Sequence, residues 1–262
     1  MKIPEINFFN IIKKHRFRTP NFRVVNNRRV IESLDAVDRA NKDVRIKTCF
    51  GNESFFDNDK KFVTEIKMKY SDVPVAYNTF TIDKKVLNGG NMHVDRELRK
   101  RFGYGELLRL ASIIDMNENN LDKLSIFALR EAIPFHHKYK FQSNISFEKD
   151  CIQDLLVNIS RQKNQKLTEF ADCSRKLLEQ FNSNYFGMNS QGEKKLLSEV
   201  NSLVENYLAV ADKNRLPWES TIKQSGISFR TDIDMELTRD TIFRNRDFFN
   251  EKFENHFIDY KI

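Results

Sequence analysis

Between Val94 and Glu106 the chain carries residues suited to holding an anion. Arg99, Lys100 and Arg101 lead into Gly103-Tyr104-Gly105, and residues 106–119 follow with Leu107, Leu108, Leu110, Ala111 and Ile114 at helical spacing. The opening turn of a helix has free N–H groups and a partial positive charge, which attract phosphate. Glycine at 103 and 105 lets a phosphate approach the backbone, because no Cβ stands in the way. The same pair would also serve a plain strand-to-helix turn. The longer dinucleotide fingerprint is absent, since position 108 is Leu.

Strands are expected in front of this joint. Residues 44–50, 62–70, 75–82 and 86–94 alternate apolar and polar side chains and are joined by short turns, which predicts an antiparallel meander. Asn88-Gly89-Gly90 lies inside the last of these runs and marks either a bulge or a hairpin turn. Ahead of the meander, Val30, Ile31, Leu34 and Val37 predict a helix over 28–40. Behind the joint come a strand over 124–129 and a short helix carrying Ala132, Ile133, Phe135 and Tyr139.

With those residues in view, the segment resembles the GNAT superfamily of acyl-CoA-dependent N-acyltransferases. That family carries Gln/Arg-x-x-Gly-x-Gly/Ala between its fourth strand and the next helix. Here the run is Lys100-Arg101-Phe102-Gly103-Tyr104-Gly105, with Lys in the leading place. Further on the family has Ala-Ile-x-Phe-Tyr-x-x-x-Gly-Phe, and this chain has Ala132-Ile133-Pro134-Phe135-His136-His137-Lys138-Tyr139-Lys140-Phe141. The two motifs stand in the family's order and at about its separation. His136 replaces the motif Tyr and Lys140 the motif Gly. Leu129 or Arg130 stands where an Asn is common, and the step from Val94 to Gly103 is one residue longer than usual.

The resemblance implies acetyl-CoA or another acyl-CoA as co-substrate, bound by Met92, His93, Val94, Lys100, Arg101, Phe102, Gly103, Tyr104, Gly105 and Glu106. A backbone amide around Met92–Val94 would polarise the thioester, and the acyl group would pass directly to an amine. The expected base is Glu97, with Asp95 and His93 behind it; the other reading of each is a solvated strand-end residue. The expected acid is His136, which titrates near neutrality, with Tyr104 and Tyr139 as alternatives. An exposed helix residue without a role is the other reading of His136. The altered positions His136 and Lys140 also suit a non-catalytic relative that binds CoA or a protein partner.

Composition sets the frame. The 262 residues are 40% hydrophobic and include 23 Phe, enough for one core and a satellite. No run of eighteen apolar residues predicts a membrane span, and no secretory leader is evident. Cys49, Cys151 and Cys173 are widely spaced, which suits reduced thiols in a cytoplasmic protein and argues against a disulfide scaffold or a metal site. The net charge of +7 resides in residues 1–30, which hold eight Lys or Arg against Glu5. That basic arm, residues 1–27, reads as a solvated flexible tail or as a docking segment, in which Phe8, Phe9, Ile11, Ile12, Phe17 and Phe22 interleave with the cations. Nucleic acid is an expected partner only through this arm.

No strand is evident after Phe141. Residues 148–163 and 166–181 and a third run from 190 carry helical stripes, among them Ile152, Leu155, Leu156 and Ile159. Ser190-Gln191-Gly192-Glu193 reads as a capping box opening the third helix. Residues 227–237 alternate as a closing strand, and 238–260 read as one final helix. The expected fold is therefore α/β and GNAT-like, a mixed, mostly antiparallel central sheet flanked by helices, with a helical insertion before the last strand. The acyltransferase domain would comprise 28–146 and 223–262, and the insertion 147–222. A GNAT half followed by a separate helical domain is the rival division. The acceptor amine and homodimer formation are left open.

Overall fold

A computed structural model describes residues 23–25, 28–30, 34–51, 61–69, 71, 73–95, 97–98, 101–129, 132–145, 149–184, 188–214 and 232–262. It starts with a hairpin of β1 (Arg23–Val25) and β2 (Arg28–Val30). β3 (Leu34–Val37) then folds back on β4 (Asp43–Gly51), Leu34 opposite Ile46 and Ala36 opposite Val44. Asp38 shapes the turn, its Oδ1 accepting from Ala40 N at 2.8 Å and Lys42 N at 3.0 Å, while Asn41 adopts φ 58.

These strands correct the helix expected over 28–40. Val30 and Val37 are β-branched and favour extended backbone. Asp and Asn bond neighbouring backbone or tolerate left-handed φ, so together they make a turn at 38–41. β1 also takes up residues 23–25 of the basic arm; residues 1–22, and both readings of them, lie outside the described residues.

β5 (Lys61–Met68), β6 (Pro74–Asp83) and β7 (Val86–Val94) complete the meander as expected, and the sheet runs β1-β2-β4-β5-β6-β7 with β3 off this path on β4. One face is covered by α1 (Tyr104–Glu118), in which Leu107, Leu108 and Leu110 are fully buried. Burying side chains of this kind stabilises by about 1.5–3 kcal/mol each. Ile46 opposite Ile66, and Ile66 opposite Ala76, form an apolar row beneath the helix. The next row is polar. Thr48, Thr64 and Asn78 lie across three strands and meet Ser112 and Asp115 of α1, all five buried.

The chain continues through β8 (Lys123–Ala128), α2 (Ile133–Lys138) and β9 (Gln142–Ser143). Then come α3 (Lys149–Ser160), a single 3-10 turn at Gln165–Leu167, α4 (Thr168–Asn184) and α5 (Ser190–Lys213). β10 (Ile233–Thr238), α6 (Arg239–Arg244) and α7 (Arg246–Asn255) finish it. The chain divides into two compact units, residues 1–124 with 242–262, and residues 125–241. In the second unit the strand order is β8-β10-β9, so the last strand in sequence lies between two earlier ones.

Three further corrections concern short features. β9 exists, though only two residues long, because it pairs with β10, Ser143 opposite Met235 and Gln142 opposite Glu236. The helix α5 is capped by Asn189 rather than by the Ser190 box: Asn189 Oδ1 accepts from Gly192 N at 2.8 Å. The final helix is broken at Asn245 into α6 and α7, and Thr238 Oγ1 caps α6 by accepting from Thr241 N at 3.1 Å. Of the run expected as a closing strand, residues 227–231 lie outside the described residues.

The fold class is α/β as expected, with mostly antiparallel strands, flanking helices, and α3–α5 inserted before the last strand. Among the described residues no helix is long and apolar enough to cross a membrane.

Candidate functional site

The site starts with an irregularity in β7. Asn78 faces Met92 while Phe80 faces Gly89, so Thr79 stands opposite two residues, Gly90 and Asn91. That is a β-bulge, and of the two readings of Asn88-Gly89-Gly90 it is the one realised. Thr79 Oγ1 accepts from Asn91 N at 3.0 Å. A Cβ on Gly90 would come within 2.5 Å of that same oxygen, so only glycine leaves room for the hydroxyl.

Past the bulge, Met92, His93 and Val94 pair with Asn78, Tyr77 and Ala76. The His93 ring is exposed and stacked on Tyr77, centroids 5.4 Å apart, and Met92 and Val94 are half-buried. Asp95 ends the strand by forming a small turn, its Oδ1 accepting from Glu97 N at 3.2 Å. The Glu97 side chain is exposed. Lys100 lies outside the described residues.

Phe102 is buried, with Arg101 5.0 Å and Lys42 5.3 Å from its ring centroid and Tyr104 stacked at 5.6 Å. Gly103 then opens α1 at φ 76, ψ 17, a left-handed conformation that glycine adopts without strain. No side chain caps this helix start. Tyr104 is buried and its hydroxyl donates to Asp38 Oδ2 at 3.3 Å. Burial, helped by the Asp38 charge, pushes the phenol up to about 12. Glu106 is buried as well; Arg39 Nη2 pairs with its carboxylate, and His256 Nε2 lies 3.4 Å from the other oxygen. His256 Nδ1 donates to the Val37 carbonyl at 2.7 Å, which ties the C-terminal segment to β3.

Arg39, Asp38 and His256 stand outside every motif that the sequence offers for the site. Arg39 was hidden in a stretch expected as helix, and only the Asp38–Asn41 turn chemistry could have exposed it. His256 is alone in its sequence neighbourhood and carries no spacing signal.

His136 belongs to the second unit. It is buried in α2, with Phe135 and Phe141 at ring distances of 5.1 and 5.5 Å, and so is not an exposed helix residue. Lys140, which stands at the motif glycine, takes φ 67 just past α2, and Phe141 N returns to the His136 carbonyl at 3.2 Å. Lysine here holds the left-handed conformation that a glycine would favour.

No protein-family profile matches the chain, and no curated protein matches it. Solved structures similar to it are acetyltransferases of the GNAT family and related acyltransferases. The PaiA N-acetyltransferase from Thermoplasma acidophilum in complex with coenzyme A shares 13% identity at a TM-score of 0.29, over 34% of this chain and 55% of that one. A GNAT family acetyltransferase from Elizabethkingia anophelis with acetyl-CoA bound shares 16% at 0.29, over 32% and 56%. A Bacillus subtilis acetyltransferase in complex with CoA shares 13% at 0.31, over 38% and 78%. The chain thus spans little more than half the length of the first two.

Proposed function

We propose that the protein is an acyl-CoA-dependent N-acyltransferase that passes an acyl group, acetyl in the first instance, directly to an amine. The observation that carries this reading is the joint itself: a bulged strand running into an uncapped helix through a left-handed glycine. The residues fit a phosphate. The N-cap residue is Gly103, which brings no side chain to the first turn of α1, and Arg39 and Arg101 stand at the same place. Glu106 brings a negative charge there, and Arg39 offsets it.

Acyl-CoA, when bound, supplies the activated thioester and a thiolate leaving group. Met92, His93 and Val94 would contribute the backbone donor to the thioester carbonyl. The amides of Gly103, Tyr104, Gly105 and Glu106, beside Lys100, Arg101 and Phe102, would hold the pyrophosphate. Glu97 is the proposed base that takes a proton from the acceptor ammonium. His136 is the proposed acid for the departing thiolate, with Tyr104 as the alternative donor. Residues 28–146 and 223–262 are the proposed acyltransferase domain, and 147–222 the proposed helical insertion.

The test is calorimetric titration of acetyl-CoA into the wild type and into a Gly103→Asp, Gly105→Asp double variant. Saturable binding by the wild type, lost in the variant, is expected. No binding by the wild type overturns the reading and leaves a non-catalytic interaction protein.

A further inference from the structure

Among the described residues, the outer edge of β9 is met by a helix and not by a strand. On its inner side β9 pairs with β10, and just beyond it Asn144 N donates to the Asp234 carbonyl at 2.8 Å. Successive N–H groups of an extended segment point to opposite sides, so those of Ser143 and Ile145 point away from β10. Both are nevertheless satisfied. The Glu205 carboxylate accepts from Ser143 N, and Asn201 Oδ1 accepts from Ile145 N at 2.9 Å. Asn201 and Glu205 are one turn apart on α5. Four helical residues rise about 6 Å and two strand residues about 6.7 Å, so the two side chains meet two alternate strand donors.

Each acceptor is itself held. Asn201 Nδ2 donates to the Leu197 carbonyl at 2.9 Å, which sets Oδ1 toward Ile145, and Ser143 Oγ donates to the Asn201 carbonyl at 3.3 Å. The second oxygen of Glu205 lies 3.5 Å from His137 Nε2. Three segments (α2, β9 and α5) thus meet at this one carboxylate.

We propose that α5 is an edge cap, in which Asn201 and Glu205 take the place of the carbonyls of an absent strand and keep β9 from pairing with β9 of a second copy of this chain. An uncovered edge presents alternating donors and acceptors, a template for another strand. The same edge on two copies is self-complementary about a two-fold axis, which makes a second copy the fitting partner. This inference stands apart from the acyltransferase reading and gives the insertion a role of its own.

The test compares the full-length wild type with the Asn201→Ala, Glu205→Ala double variant and with Glu205→Gln, which keeps an acceptor. Hydrogen exchange of the segment 142–145 and sedimentation velocity over a range of concentrations are the readouts. The double variant should exchange at least about tenfold faster there and sediment as a larger, concentration-dependent species, while Glu205→Gln stays close to the wild type. Unchanged exchange overturns the cap, and faster exchange without a change in sedimentation overturns the second copy as partner. If the double variant does not fold, Asn201→Ala alone reads the Ile145 amide and the sedimentation by the same criteria.

Discussion

Gly103 lies against Arg39 so closely that a Cβ at position 103 would sit 2.8 Å from Arg39 Cγ. The contact joins the β3–β4 turn to the start of α1, and Arg39 N donates to the Phe102 carbonyl at 3.0 Å beside it. The loop is therefore held by a residue more than sixty positions earlier in the chain. Gly103→Ala adds a left-handed alanine, which costs roughly 1–2 kcal/mol, and must push the Arg39 side chain aside. Urea denaturation should show a loss of that size, and acetyl-CoA affinity should fall with it.

Asp115 makes stability depend on pH. Burial pushes its carboxyl up to about 7, although hydrogen bonds from Thr48 and Thr64 pull the other way. Its folded pKa is above the unfolded one, so its contribution is complete below the unfolded value and is lost as pH rises through about 7. Asp115→Asn stays neutral and should abolish that loss, worth on the order of a few kcal/mol. Denaturation midpoints measured from mildly acidic pH up to pH about 7 check this: the wild type should weaken as pH rises through that range and the variant should not.

Lys140 occupies a glycine conformation, φ 67, at the end of α2. Lys140→Gly should stabilise the protein by about 1 kcal/mol, the relief of left-handed strain less the entropy glycine adds to the unfolded chain. A higher melting temperature with an unchanged urea m-value is the expected result.

Glu205 acts at the acid end. Burial pushes its carboxyl up, but the hydrogen bonds from His137 and Ser143 outweigh that and hold it below the ordinary value. A depressed folded pKa means that its contribution is present above the unfolded value and lost as pH falls through the folded one. Protection of residues 142–145, taken relative to the intrinsic exchange rate at each pH, should fall on acidification before that of the α1 core. Glu205→Ala should show low protection there at every pH.

Much of this architecture is written in local pattern. Strands β4 to β7 were legible because period-two alternation and Asp- or Pro-containing turns agree, and α1 because apolar side chains recur at helical spacing. The turn at Gly103 was legible because glycine frees the backbone at the step into a helix that apolar spacing marks. The positions of Lys100 and of the basic arm's first 22 residues lie outside what the structure describes.

Tertiary structure decided the rest. Residues 28–37 have helical spacing, yet pairing with β4 and the Asp38–Asn41 turn make strands of 28–30 and 34–37. β9 is two residues long and has no periodicity; it exists because β10 and the side chains of Asn201 and Glu205 take up its donors. His256 reaches Glu106 across 150 positions, and Arg39 reaches Gly103 across 64. The chain by itself determines where backbone prefers to extend, coil or turn, because those preferences act over a few residues. Which distant donor meets which acceptor is settled only when the core closes, because a buried polar group must then find its partner inside the protein.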